Sequence, residues 1–202
     1  MTDKYFEFIK KVQAIAQIGQ SFTTDEYARE NYEELEKLSH EILEAYTGVE
    51  QVRPNIYADY KYPTAQTSVR TLVINDTNQL LLVQEKDSGL WSPPGGWCDV
   101  DTTPRQAAVK EVFEESGYAV EIKQFLAVFD HRLYLDRPSF FSTHQYVFAA
   151  RVIGGEPVPN HETLAVEWFD LDKLPQLSRK MTLEEITIAL GVLVNERDTY
   201  ID

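Results

Sequence analysis

Residues 93–118, PPGGWCDVDTTPRQAAVKEVFEESGY, constrain the fold of this chain more than any other stretch. They spell out one helix, Pro104 to Ser116, with both ends fixed by local chemistry. Thr103 caps it, Pro104 suits its first position, and Gln106 completes a capping box. Gly117 takes the left-handed conformation that ends it. Strand patterns lie on both sides. Val69 to Ile74 and Leu80 to Val83 flank Asn75, Asp76, Thr77 and Asn78, which predicts a hairpin. Trp91 to Cys98 is a short strand interrupted by Pro-Pro-Gly-Gly. Val120 to Phe129, Gln145 to Val152 and Ala165 to Phe169 follow. Leu183 to Asn195 closes the chain as a helix, with Thr182 and Glu185 as a second capping box. Strands around a central helix, with a terminal helix, predict an α/β (α+β) fold: a mixed sheet sandwiched by helices.

The preceding region has a different pattern. Tyr5, Phe8, Ile9, Val12 and Ile15 recur at three- and four-residue spacing and make one apolar stripe, with Gly19 as a stop. Thr23 and Glu26 form a capping-box pattern before a second stripe, Tyr32, Leu35, Leu38, Ile42 and Tyr46, and Gly48 ends it. Residues 1–48 therefore read as a helical hairpin. Residues 49–67, with Pro54, Pro63, Tyr57, Tyr60 and Tyr62, read as an extended linker, and 68–202 as the main domain. The hairpin's stripes need a partner surface, so a homodimer is expected.

The 202 residues carry 19 basic and 33 acidic side chains, a formal net charge of −14. A binder of nucleic-acid backbone needs a basic face, so that class is excluded. A phosphorylated ligand bridged through a metal ion is not. The single cysteine, Cys98, cannot form an internal disulfide, which fits a reducing compartment. The N-terminus has no apolar core of a signal peptide, and no apolar run reaches the roughly 18 residues of a membrane span. The expectation is a soluble cytoplasmic protein with no membrane partner.

On the central helix, Ala108, Val109, Val112 and Phe113 are expected to fill one arc and Glu111, Glu114 and Glu115 the opposite one. A charge run is commonly a solvated face. Here, though, Glu111 repels Glu114 and Glu115 at i,i+3 and i,i+4, at a few tenths of a kcal/mol each. All three also lie near the helix C-terminus, where negative charge is disfavoured by about 0.3–1 kcal/mol per group. A hard cation, Mg²⁺ or Mn²⁺, reverses both penalties. Gly95 and Gly96 allow close approach of backbone to a ligand such as a diphosphate.

The segment resembles the signature of the Nudix hydrolases. Gly96 matches the first glycine, Glu111, Glu114, Glu115 and Gly117 fall at the family spacing, and Tyr118 closes the box. Thr102 stands where the family has glutamate, and Lys110 where it has arginine. The resemblance implies an α/β/α sandwich and metal-dependent pyrophosphohydrolysis. It implies Glu111, Glu114 and Glu115 as metal ligands, and Glu111, Glu114 or Glu162 in catalysis. It also implies Gly95, Gly96 and Lys110 at the phosphates. Trp91, Phe129, Tyr134, Phe140, Phe141 and Tyr146 could stack a base. The loop from Asp130 to Thr143, with His131, Arg132, Tyr134 and Phe141, is the expected specificity lid. The helical N-terminus and the Gly-Gly-Trp-Cys-Asp-Val stretch resemble a bacterial subgroup associated with cleavage of CDP-choline to CMP and phosphocholine. Two other readings stay open: an ADP-ribose or nucleotide-sugar pyrophosphatase, and a non-catalytic nucleotide-binding regulator.

Overall fold

The computed structural model describes residues 3–137, 139–194 and 198–202. They fall into two compact units. One comprises Met1–Ala65 with Asp136–Phe141, the other Gln66–Leu135 with Ser142–Asp202.

The first unit is built on helices α1 (Lys4–Phe22) and α2 (Glu26–Thr47). Asp3 starts α1 by accepting from the amides of Tyr5 and Phe6, each at 3.1 Å. Gly19 does not end this helix. The ring of Tyr32 fills the space that a Cβ would need, so Gly19 serves close packing inside a helix that continues to Phe22. Asp25, not Thr23, caps α2, accepting from the Ala28 amide at 2.9 Å. The reason is that the α1 helix already ends at Thr23, whose hydroxyl accepts from the Asp25 amide. Gly48, at φ +67°, ends α2.

The buried stripe of α1 is Phe6, Ile9, Lys10, Gln13 and Ala16. Tyr5, Phe8 and Ile15 of the expected stripe are exposed in the single chain. Residues 49–65 fold back on the helices rather than running free. Buried Asn55 donates to the Gln13 carbonyl at 3.0 Å, and the Gln13 side chain accepts from the Ile56 amide at 3.1 Å. Lys10 donates to Ser139 O at 2.6 Å, and Phe140 meets Phe6 edge-on at 5.3 Å. The segment expected to act as a lid therefore has its middle, Asp136–Phe141, folded with the helices. Pro138 lies outside the described residues.

The second unit has strands β1 (Gln66–Val73), β2 (Gln79–Glu85), β3 (Trp91–Ser92), β4 (Tyr118–Asp130), β5 (Thr143–Gly155), β6 (Thr163–Asp170) and β7 (Tyr200–Ile201). Helix α3 (Pro104–Ser116) follows β3, and α4 (Leu183–Val194) follows β6. One sheet has the order β1-β5-β4-β7 and the other β3-β2-β6. The expected β1–β2 hairpin is not a paired ribbon. The turn forms, with Asn75 accepting from the Thr77 and Gln79 amides and Asn78 at φ +64°, but the strands diverge into different sheets after a single bridge, Ile74 to Leu80. The short β7 was not foreseen, and Asn195, the expected end of α4, lies outside the described residues.

Both sheets are buried on two faces, and strand alternation sorts the residues. Leu72, Leu80, Leu82, Leu126 and Val147 pack with Met181, Ile186, Ala189 and Val192 of the α4 side. Val69, Val73, Leu81, Ile122 and Phe148 pack with Ala107, Ala108 and Val112 of α3. This is the expected α/β/α arrangement. Among the described residues no helix is long and apolar enough to cross a membrane.

Candidate active site

Helix α3 and the Pro93–Gly96 loop build the site together. Thr103 accepts from the Gln106 amide at 3.3 Å, and Gln106 accepts in return from the Thr103 amide at 3.0 Å. Gly117, at φ +77°, ends the helix. Its Cβ position is occupied by backbone of Glu156 and Val158, so only glycine fits. The register of the glutamates is thereby fixed from both ends.

The faces of α3 differ from the expected ones. Ala108, Val112 and Glu115 share the buried side, while Phe113 is exposed. Positions 108, 112 and 115 are spaced i, i+4, i+7 and so lie on one face. Glu115 is tolerated there because it has a partner: the Gly95 amide donates to its carboxylate at 2.8 Å. Burial pushes the Glu115 carboxyl up, and the Arg70 charge and the Gly95 amide oppose that shift. Glu111 stands beside the loop, its carboxylate 2.8 Å from where a Cβ on Gly96 would sit. Burial, then the like charge of Glu115, pushes Glu111 up to about 7. Glu114 is exposed and paired with Lys110 at 3.4 Å.

Lys110 also reaches Asp99 at 2.8 Å. Its hydrogen bonds thus go to Asp99 and Glu114, and Glu111 feels it only through space. Thr102 sits in the turn before α3, its amide donating to Asp99 O at 3.2 Å.

The loop before β6 is stitched to the end of α3. The Thr163 hydroxyl donates to Glu115 O at 3.2 Å. Glu162, next in sequence, is exposed and 3.3 Å from His161, and its charge raises the Glu115 carboxyl.

The aromatic residues distribute differently. Trp91 packs edge-on against Phe169 at 4.8 Å, and Tyr134 against Phe129 at 5.0 Å. The Tyr134 hydroxyl donates to Asp202 at 2.8 Å. Phe141 is exposed and belongs to the helical unit. His131 is held between Glu185, at 2.7 Å, and the Arg179 carbonyl, at 2.8 Å, and Arg132 bonds Asp130.

Sequence reasoning missed three charged residues. Arg70 on β1 is buried under the glycine loop and feels Glu115, Glu85, Glu111 and Glu185. Burial pushes its guanidinium down, and those carboxylates oppose the shift. Glu85, at the end of β2, is buried. Burial raises its carboxyl, but hydrogen bonds from Ser178 and Ser88 and the Lys180 charge hold it below the usual carboxylate range. Lys180 lies 3.7 Å from Glu85, and its charge reaches Glu115. The signal for Arg70 was its place inside the apolar strand run SVRTLVI.

A divalent cation fits the donor set by its chemistry. Carboxylate oxygens suit Mg²⁺ or Mn²⁺. The side-chain-free space at Gly96 is filled by the Glu111 carboxylate, and a cation there would oppose the burial and the like charge of Glu115 that push Glu111 up to about 7. Among the described residues no three acidic, histidine or cysteine side chains already converge on one point.

Known proteins are similar to this chain in sequence and fold. Residues 64–189 match the NUDIX domain, and residues 3–53 match the UDP-X-like, N-terminal oligomerisation domain. YjhB of Bacillus subtilis (strain 168) is 38% identical over 179 residues, covering 88% of this chain and 86% of that protein. The crystal structure of a UDP-X diphosphatase superposes with a TM-score of 0.65 at 28% identity, covering 98% of each chain. An ADP-ribose pyrophosphatase from Streptococcus suis 89-1591 superposes with a TM-score of 0.61 at 38% identity, covering 69% of this chain and 100% of that one. These matches show that the chain belongs to the Nudix family as a pyrophosphohydrolase.

Proposed function

We propose that this chain hydrolyses CDP-choline to CMP and phosphocholine, using Mg²⁺ or Mn²⁺ held by Glu111, Glu114 and Glu115. The observation that carries the chemistry is the buried Glu115 carboxylate fastened to the Gly95 amide, with Glu111 beside Gly96. The subgroup resemblance of the helical N-terminus supports the substrate. A bound cation supplies neutralisation of the diphosphate charge and activation of water. The chain's own residues do the rest. Glu115 and Glu111 hold fixed positions against the loop. The Gly95 amide is taken by Glu115, which leaves the backbone at Gly96 to line the approach for phosphate oxygens. Glu114 or Glu162, both exposed, can take the proton from the attacking water. Lys110, tied to Asp99 and Glu114, places positive charge at the rim for the substrate's phosphates.

ADP-ribose is the second reading, favoured by the Streptococcus suis structure. A panel of CDP-choline, ADP-ribose and UDP-linked sugars, each with Mg²⁺ and with Mn²⁺, separates the two. CDP-choline is expected to show the highest kcat/KM, and ADP-ribose in first place would replace the reading.

Self-association through the helical unit belongs to the same proposal. Tyr5, Phe8 and Ile15 of α1 and Leu38, Ile42 and Tyr46 of α2 are exposed apolar residues on a unit that matches an oligomerisation domain. Light scattering at micromolar protein is expected to give the mass of two chains, about 47 kDa from the 23.3 kDa of one. A mass of 23.3 kDa would refute the dimer.

A further inference from the structure

Carbonyl groups of the Pro93–Gly96 loop can be accounted for one by one. Pro94 O accepts from the Thr71 amide at 2.9 Å, and Gly96 O from the Val69 amide at 2.8 Å. Those two bonds tie the loop to β1 beside the single bridge from Ser68 to Trp97. The alternate carbonyls, Pro93 O and Gly95 O, accept from no backbone amide among the described residues. Both are met by one terminal nitrogen of Arg70: it donates to Pro93 O at 3.3 Å and also to Gly95 O. On its other side, the Gly95 amide donates to Glu115. The Gly95 residue is thus gripped at both ends, by Arg70 at its carbonyl and by Glu115 at its N–H.

The approach is close. A Cβ on Gly95 would fall on the Val69 carbonyl oxygen and within 2.9 Å of the Arg70 Cα, so the loop lies directly on the backbone from which Arg70 springs. Arg70 is also the cation sensed by Glu115, Glu111, Glu85 and Glu185, and it is buried with its Nε lacking a hydrogen-bond partner among the described residues. A buried guanidinium costs free energy unless its surroundings use it. Solvation of the charge is not what it provides. It holds the two loop carbonyls while its charge faces Glu115, which the Gly95 amide bonds.

We propose that Arg70 is a positioning residue of the hydrolase: its guanidinium fixes the Gly95–Gly96 loop against Glu115, and so sets where the helix α3 carboxylates meet the substrate's diphosphate. It touches neither substrate nor the reacting atoms. That donor stands at the far end of a planar, stiff guanidinium, and a lysine ammonium, one bond shorter on a flexible stem, does not reproduce its position. The charge and the placement of the donor are therefore separable by substitution.

The inference rests on Glu115 belonging to the catalytic site. The test uses full-length Arg70→Lys and Arg70→Met at a temperature below the unfolding of each. Arg70→Lys keeps the charge near Glu115 and is expected to bind Mn²⁺ within about threefold of wild type by calorimetry without substrate. Its kcat is expected to fall about 10- to 100-fold with KM little changed, because loop placement is lost and substrate affinity is not. Arg70→Met is expected to lose both kcat and Mn²⁺ affinity. A folded Arg70→Lys with wild-type kcat overturns the proposal, as does a fall in melting temperature with unchanged kcat per folded molecule. If neither variant folds, the wild-type guanidinium N–H resonances decide. They are expected to exchange slowly and to shift on Mg²⁺ addition, and unshifted resonances overturn the proposal. Glu115→Gln, run alongside, separates the failures. Wild-type activity in Glu115→Gln removes the site assignment itself, whereas its inactivity beside an active Arg70→Lys removes only the role of Arg70.

Discussion

Replacing Glu115 by glutamine is expected to lower kcat by about a hundredfold or more while leaving the metal-free protein folded. The side chains are the same shape, and the glutamine carbonyl oxygen can still accept from the Gly95 amide that now bonds the carboxylate at 2.8 Å. What disappears is the negative charge. Burial already disfavours that charge, as the upward shift of the Glu115 carboxyl shows, so its removal from the apo protein relieves desolvation. The offsetting loss is the attraction to Arg70, which leaves a modest change in stability. With Mg²⁺ the two proteins should separate. Ligand at ten times its Kd stabilises wild type by about 1.4 kcal/mol, and this increment should be absent from the variant. Thermal unfolding with and without Mg²⁺, beside turnover assays, measures both. Glu114→Gln provides the exposed counterpart. Full turnover in both variants would remove the proposed metal site from α3.

Gly95→Ala is expected to destabilise the chain by about 3 kcal/mol and to abolish turnover, whereas Gly96→Ala should remain folded. The two glycines are neighbours, but they meet different things. Gly95 has φ +152°, and its Cβ would strike the Val69 carbonyl and the Arg70 Cα, backbone atoms of a buried strand that cannot give way. The loop has to lift, breaking the bonds from Arg70 and to Glu115. At Gly96 the nearest atoms a Cβ would meet are the carboxylate end of Glu111, at 2.8 Å. That flexible end can swing aside, at a cost of about 1 kcal/mol. The price is paid in function, since the swing displaces Glu111 from the site. Urea denaturation of both variants, with activity per folded molecule, tests the contrast. Equal destabilisation of the two would show that the loop does not lie against β1 as described.

Legibility from the sequence followed the range of the forces involved. The capping box at Thr103 and Gln106, the left-handed Gly117 and the turn at Asn75–Asn78 involve partners within four residues, and all of them form. Gly19 and Thr23 were misleading for the same reason in reverse. Gly19 reads locally as a helix breaker, while in the fold it accommodates Tyr32 from another helix. Thr23 had a capping pattern, but Asp25 was better placed once α1 had run on to Phe22.

The sequence by itself determined the spacing of Glu111, Glu114 and Glu115 on a helix with fixed ends, and therefore the family and its chemistry. Only the tertiary structure decided which of the three is buried, because the answer depends on a glycine loop arriving beside α3 with an amide to offer. Likewise, nothing local marked Arg70 as more than an odd charge in a strand. Its carbonyl partners, Pro93 and Gly95, lie 23 and 25 residues away. They are brought to it by strand pairing that no side-chain pattern within β1 encodes. Short-range hydrogen bonds are written in adjacent residues. The placement of a charge among four distant carboxylates is a property of the packed sheets.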